Sequence, residues 1–187
     1  MKTLEEIFQS FETGIRSAKA TKPKAFLAGI GLDYNTQRIG FNSGQFHHRR
    51  PQELKDHFES LGLLTKSNAA VRGEEMEAYT VFGRYGIVFP LQDSTGRIVN
   101  FYALRFDMAN PVEQYLNDEG IYPSYPHPYT KRLFITPTLM DCASLMQSKS
   151  LGNRDAVFAL HNGELLTQHQ QAITGLKELE EILIIKR

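Results

Sequence analysis

The residues most suited to chemistry lie in a glycine-bearing polar stretch, GQFHHRR, at positions 44–50. Phe46 and His48 carry rings that could stack on bases, and Arg49 and Arg50 carry guanidinium groups that suit phosphate oxygens. This combination predicts a contact with single-stranded nucleic acid. The plain structural alternative is a solvated loop in which Phe46 turns inward. The two adjacent histidines do not favour a metal site, because no further ligands lie near them in the sequence.

The bulk composition neither requires nor excludes a nucleic-acid partner. Lys and Arg together number 21 and Asp and Glu together number 21, so the formal net charge is zero. Proteins that bind nucleic acid often carry excess positive charge, but a neutral total can hide a local basic patch. Cys142 is the single cysteine, so neither an internal disulfide nor a zinc ribbon can form. The acidic N-terminus differs from a signal peptide, and no apolar run suggests a membrane span. We therefore expect a cytoplasmic protein without a membrane partner.

Three amphipathic segments predict helices that would hold the polar stretch in place. Apolar residues recur at three- and four-residue steps over residues 3–20, with Thr3 and Glu6 as a capping box. A second helix is expected to begin near Pro23 and to end at residues 29–31. A third is expected over residues 51–62, with the polar stretch as an exposed loop before it.

The remainder of the chain predicts strands first and then alternating strands and helices. Two β-rich runs meet at a hairpin turn at residues 93–96, after an acidic loop at residues 71–78. Proline and tyrosine interrupt residues 110–130, which predicts an ordered loop packed by its own rings. From residue 131 the order strand, helix, strand, helix, strand predicts a parallel α/β unit.

Several short segments, in their order and spacing, resemble the catalytic core of bacterial-type DNA primases. They are AFL and GIGL (25–32), IGF (39–41), FGRYGIVFPLQD (82–93), GRIVNF (96–101), YLN (115–117), LFI with MD (133–141), and AL with LTQH (159–169). The last two are similar to the first strands and helices of the toprim fold that topoisomerases and primases share. The resemblance covers roughly residues 24–185.

The resemblance adds candidate binding residues on the strand pair and beyond it. In that family the single-stranded template crosses a basic groove on the β-ribbon, which implies a role for Arg84 and Arg105. Arg97 follows the turn glycine and is expected to be solvated. Tyr115 and Asn117 belong to the family signature and are candidates to line the same groove, although Gln114 stands where a lysine is usual.

The departures from the family pattern concern catalysis. Pro137 and Thr138 stand where the family has a glutamate and a glycine, and Lys186 follows the third strand where the family has paired aspartates. Nucleotidyl transfer needs carboxylates that hold magnesium. Asp141 is one carboxylate near a helix start, where it suits the helix dipole. We therefore expect no catalytic residues, no metal and no cofactor in this chain, with magnesium only if a missing segment completes the site.

These patterns together predict an α+β protein: a helical and antiparallel-sheet lobe followed by an incomplete toprim-like α/β lobe. The expected segments are an N-terminal helix (1–22), a primase-core-like lobe (23–130) and a partial toprim-like lobe (131–187). The leading hypothesis is a single-stranded DNA or template-binding module without nucleotidyl transfer of its own. One alternative is a fragment or subunit of a longer or split primase that makes RNA primers. Another is a non-catalytic interaction module, with a replication or mobile-element protein as partner.

Overall fold

The computed structural model describes residues 1–67, 78–107 and 111–186. Most of the predicted acidic loop at residues 71–78 lies outside these ranges. Within these ranges, none of the helices has the length and apolar character of a membrane-spanning segment. The helices are α1 (Leu4–Arg16), α2 (Thr21–Gly29), α3 (Gln52–Ser60), α4 (Leu139–Gln147) and α5 (Thr167–Thr174). The strands are β1 (Gly40–Asn42), β2 (Leu64–Ser67), β3 (Ala78–Val81), β4 (Gly86–Gln92), β5 (Ile98–Arg105), β6 (Val112–Tyr115), β7 (Arg132–Thr136), β8 (Asp155–Ala159) and β9 (Glu181–Ile184).

The first part of the chain builds an antiparallel sheet in the order β1-β4-β5-β6, with β2 and β3 as a separate pair. Successive side chains of β5 point to opposite faces of this sheet. Phe101 and Ala103 pack with apolar residues of α1 and α3, whereas Tyr102 and Leu104 pack with apolar residues of α2 and α4. Both faces of the sheet are therefore covered by helices, and β1 forms the edge nearest α1.

The last third of the chain builds a parallel sheet in the order β8-β7-β9. Leu139 and Cys142 of α4 cover one face, and Ala172 of α5 covers the other, where Leu133 and Phe158 lie. The predicted alternation of strands and helices is confirmed. The α+β class is also confirmed, with an antiparallel sheet followed by a parallel one. The division of the chain at residues 22 and 130 stays a prediction.

Three element boundaries differ most from those predicted. α1 ends at Arg16 rather than residue 20, because Ser17 adopts an extended conformation and the Lys24 amine donates to the Ser17 carbonyl at 3.0 Å. α2 begins at Thr21, before Pro23. The predicted loop at 110–130 contains the edge strand β6.

That loop is held partly by the protein core and partly by its own rings. The buried ring of Tyr122 lies edge-on to Phe89, with 5.5 Å between the centroids. The rings of His127 and Tyr129 contact each other within the loop, with 5.4 Å between the centroids. The prediction of a loop packed by its own rings was therefore wrong for Tyr122.

α1 lies so close to β1 that glycines are needed on both elements. A Cβ atom on Gly14 would lie 2.7 Å from the Phe41 carbonyl oxygen, and one on Gly40 would lie 2.5 Å from Cβ of Phe11. These distances are shorter than van der Waals contact, and backbone atoms cannot move aside cheaply. We therefore predict that Gly14→Ala lowers the free energy of unfolding by about 1–3 kcal/mol, as overpacking does.

Gly29→Ala is the matched control, since it also lies in a helix and its added Cβ would meet nothing within 4 Å. It should leave stability unchanged or raise it by roughly 0.5–1 kcal/mol. Urea unfolding of both variants measures the difference. Equal stability of the two variants would contradict the close packing of α1 on β1.

Candidate nucleic-acid interface

A groove of about 820 Å³ runs along α1, beside β1 and the loop that follows it. Ser10 and Gly14 of α1, together with Ser17 just after the helix, form one wall. The small size of these three side chains leaves room beside the helix. Half of the remaining lining residues are aromatic or apolar: Ile7, Phe11, Ala20, Pro23, Phe41, Phe46, Phe58, Tyr85 and Phe106.

The charged residues of the groove are predominantly basic. Lys2, Lys19, Lys22 and Arg50 line it together with a single acid, Asp107. Within the described part of the chain none of the four cations forms an ion pair. A chain with no net charge therefore concentrates positive charge at this groove. Such a surface attracts anions more strongly than the net charge suggests.

Buried Asn42 joins the loop at 44–50 to the turn before β4. Its side-chain amide donates to the Phe82 carbonyl at 2.7 Å, and its side-chain oxygen accepts from the Gly44 N–H at 2.8 Å. Gly44 has φ of +82°, and a Cβ atom there would lie 2.5 Å from Cγ of Arg84. The Arg84 side chain therefore lies against this loop, with its guanidinium 5.1 Å from the Tyr85 ring centroid.

The predicted loop residues divide into two that turn inward, Phe46 and His47, and an exposed set. Phe46 is half-buried and lies edge-on to Phe58 and Phe11, with centroid distances of 5.0 and 5.8 Å. The neighbouring side chains of His48, Arg49 and Arg50 are exposed. The inward position of Phe46 agrees with the structural alternative, although part of its surface still lines the groove.

His47 is buried among basic side chains. Burial lowers its pKa below the ordinary value, and the positive charges of His48, Lys55 and Arg84 lower it further. The cationic neighbours come from three elements: the loop itself, α3 and the turn before β4. The structure therefore brings Arg84 into the same basic cluster as the loop.

The two other ribbon arginines lie beside acids. Arg105 approaches Asp107, with 3.5 Å between Nη2 and Oδ1, and Arg97 binds Asp93 at 2.9 Å in the hairpin turn. Gln114, at the position of the family lysine, accepts a hydrogen bond from the Gly83 N–H at 3.0 Å. That residue therefore holds the turn that carries Arg84.

Tyr115 and Asn117 lie away from the groove, at and just after β6, which is the opposite edge of the sheet from β1. The Tyr115 ring lies 3.8 Å from the His161 ring, and burial raises the pKa of Tyr115 to about 12. The Asn117 amide donates to the Val99 carbonyl at 3.0 Å. The structure does not bring these two residues to Phe46 and Arg84.

The carboxyl ends of the parallel strands are the other place where a site could form. Pro137 and Thr138 follow β7, and Lys186 lies just beyond β9. The Asp141 carboxylate accepts from the Thr138 hydroxyl at 2.6 Å at the start of α4. Among the described residues no three His, Cys, Asp or Glu side chains are grouped to hold a metal. A magnesium ion, which prefers carboxylate ligands, does not fit these residues.

The groove contains cations that the sequence analysis did not single out. Lys19 lies between α1 and α2 and Lys22 lies in the first turn of α2, and both belong to a run with four cations, RSAKATKPK (16–24). The density of positive charge in that run is the sequence feature that could have identified Lys19 and Lys22 as candidate binding residues. Lys2 and Tyr85 carried no comparable signal, because only the fold places them beside this run.

No family model matches the sequence, and a search of curated proteins finds no match. Solved structures of bacterial-type primase catalytic cores do match. A DNA primase domain from Pseudomonas aeruginosa is 19% identical, with a TM-score of 0.73 over 97% of this chain and 59% of that chain. A DnaG primase catalytic domain bound to ssDNA is 16% identical, with a TM-score of 0.75 over 96% of this chain and 58% of that chain. The RNA polymerase domain of Mycobacterium tuberculosis DnaG with double-stranded DNA is 12% identical, with a TM-score of 0.67 over 97% of this chain and 62% of that chain. The chain therefore has the bacterial-type primase core fold, and it spans about three fifths of the length of these structures.

The basic cluster around His47 generates a prediction about titration. Arg84→Ala removes a positive charge beside His47, so protonation becomes easier and the pKa of His47 should rise. Arg105→Ala is the matched control, because Arg105 is not among the charges that act on His47. An NMR titration of the His47 ring protons measures both. An unchanged pKa in Arg84→Ala would contradict the placement of Arg84.

Proposed function

We propose that the chain is a primase-like module that binds single-stranded DNA or template along the α1 groove. The observation that supports this most is the concentration of cations around an aromatic-lined groove in a chain without net charge. Four Lys or Arg residues line the groove, and Arg84 lies against its loop. Because phosphates attract cations and bases stack on rings, this surface suits a single strand.

The similar structures support the same proposal by analogy. One of them is bound to single-stranded DNA, and another to double-stranded DNA. Their identities to this chain lie below 20%, so the analogy extends to the fold and not to individual residues. The choice of contact residues rests on the groove itself. Arg49, Arg50 and His48 would contact phosphates, and the exposed part of Phe46 and Tyr85 would contact bases.

In this proposal, binding is mainly electrostatic. Lys19, Lys22 and Arg50 would neutralise phosphates and release counterions from the strand. Arg84 would contribute directly and would also position Tyr85, whose ring it contacts. Arg105, Tyr115 and Asn117 would contribute little, since Arg105 has an acidic neighbour and the other two lie at the far edge of the sheet.

We further propose that the chain does not transfer nucleotides on its own. Pro137, Thr138 and Lys186 lie where the resemblance leads one to expect acidic residues. Lys186 would bring positive charge where magnesium would have to bind. A longer or split primase could supply aspartates from another segment, but Pro137 would remain in place of the glutamate. Primer synthesis by this chain with magnesium and ribonucleotides would overturn this part of the proposal.

A second candidate function, a non-catalytic interaction module, is favoured by a specific observation. Arg97 is paired with Asp93, and Arg105 lies 3.5 Å from Asp107. Arginines that neutralise local acids are less available to phosphates. Under this alternative the fold persists, DNA affinity is lost, and a replication or mobile-element protein is the partner.

Anisotropy of a labelled single-stranded oligonucleotide across a salt series distinguishes the two functions. We predict that Arg50→Ala/Arg84→Ala weakens binding and flattens the dependence of log affinity on log salt. Each lost phosphate contact should reduce the slope by about 0.7 for a single strand. The expected reduction for the double variant is therefore about 1.4.

The matched control is Arg97→Ala/Lys177→Ala, which removes the same charge from positions outside the groove. It should retain the affinity and slope of the parent chain. Absence of binding by the parent at low salt would favour the interaction module. Equal loss in both double variants would show binding by overall charge rather than by the groove.

A further inference from the structure

His47 is a buried titratable side chain in the loop beside the groove, and the proposed DNA contacts do not use it. The residue is 8% exposed, and its Nδ1 atom is buried without a hydrogen-bond partner among the described residues. Its ring packs against the rings of Phe46, His48 and Tyr79, with centroid distances of 5.7, 4.5 and 5.9 Å. Buried polar atoms usually have a partner, so an exception calls for a physical explanation.

Three elements place positive charge around His47. His48 belongs to the same loop, Lys55 to α3, and Arg84 to the turn before β4. Tyr79 of β3 adds a phenol ring, and no carboxylate in the described part of the chain acts on the imidazole. A protonated His47 would therefore repel three cations and find no counter-ion among the described residues. The fold holds this histidine where its cation is unfavourable.

Two of these cations are ones that the proposed DNA contacts would occupy. Arg84 lies against the loop at Gly44, where a Cβ atom would lie 2.5 Å from the Arg84 Cγ. His48 is exposed in the same loop. A phosphate that pairs with either side chain offsets its positive charge and adds a negative charge near the imidazole. Because His47 is buried, solvent and salt screen these charges less than they would at an exposed group.

We propose that His47 takes up a proton when a single strand binds in the α1 groove. Near neutral pH the imidazole is neutral in the free chain and cationic in the complex, and it acts without contacting the strand. This inference rests on the proposed function, because the bound phosphates supply the negative charge that the imidazolium otherwise lacks. It gives His47 a regulatory role, since the groove then holds DNA more tightly in mild acid than in mild base.

The direction of this linkage follows from the protonation of the two states. Burial lowers the pKa of His47 in the free chain, and the cations lower it further. Bound phosphates raise the pKa again, so the complex holds more protons than the free chain at pH values between the two pKa values. The affinity therefore rises as the pH falls through that window. It levels off below the lower pKa, where His47 is protonated in both states.

An NMR titration of the His47 ring protons, with and without saturating oligothymidylate, tests the proposal on the unmodified chain. Thymine carries no group that titrates near neutral pH, so the strand adds no proton uptake of its own. The pKa of His47 should be higher in the complex than in the free chain. His127, which is exposed and does not line the groove, is the internal control and should titrate alike in both states.

Binding of oligothymidylate at constant ionic strength, from about pH 5 to pH 8, measures the effect on affinity. Uptake of one proton changes the affinity by up to about tenfold for each pH unit. His47→Gln keeps a neutral polar side chain, so it should bind with a flatter dependence on pH than the parent. His127→Gln is the matched control and should keep the dependence of the parent. Circular dichroism melting checks that both variants remain folded.

The outcomes separate this inference from the proposed function. Salt-sensitive binding, together with the same pKa of His47 in the free and bound states, would overturn the inference alone. Equal dependence on pH in the parent and a folded His47→Gln variant would do the same. Absence of binding at every pH and at low salt would overturn the proposed function and the inference with it.

Discussion

The candidate interface depends on how closely α1 lies against the edge strand β1. Gly14 and Gly40 let the helix contact the strand without an intervening side chain, since a Cβ on either would clash. Ser10 on the same helix and Ser17 just after it also line the groove, and their small side chains leave it open. A helix held farther away would still cover the sheet, but the groove would lose one wall. The packing of two elements therefore determines the shape of the surface to which we assign function.

The position of charge follows from a second constraint, the hydrogen bonds of Asn42. This buried amide connects Gly44 to Phe82 and so holds the loop against the turn with Arg84. Burial lowers the pKa of His47, and the resulting cluster of positive charge lowers it further. A bound phosphate strand would relieve this repulsion. The other ribbon arginines do not add to this cluster, because Arg97 is paired with Asp93 in the hairpin turn and Arg105 lies beside Asp107.

The order of strands and helices was predictable because apolar periodicity sets secondary structure, and the primase resemblance supplied the fold class. The capping box at Thr3 and the hairpin at residues 93–96 are local features, and both are present. β6 was missed because the tyrosines and prolines around it favour a loop when its pairing with β5 is unknown. The candidate site was only partly predictable. Arg84 joins the loop because Asn42 connects two segments forty residues apart, and no local pattern encodes that contact. Tyr115 was assigned to the same groove from the resemblance alone, and the sheet places it at the opposite edge.

The most direct test of the proposed DNA interface is photo-crosslinking of a single-stranded oligonucleotide that contains 5-bromodeoxyuridine, followed by peptide mapping. Bases that stack in the groove should crosslink to Tyr85 and Phe46, and excess unlabelled strand should compete the products away. Crosslinks confined to Tyr115 or Tyr129, with peptides of the groove unmodified, would contradict the assignment of the groove as the DNA-binding surface.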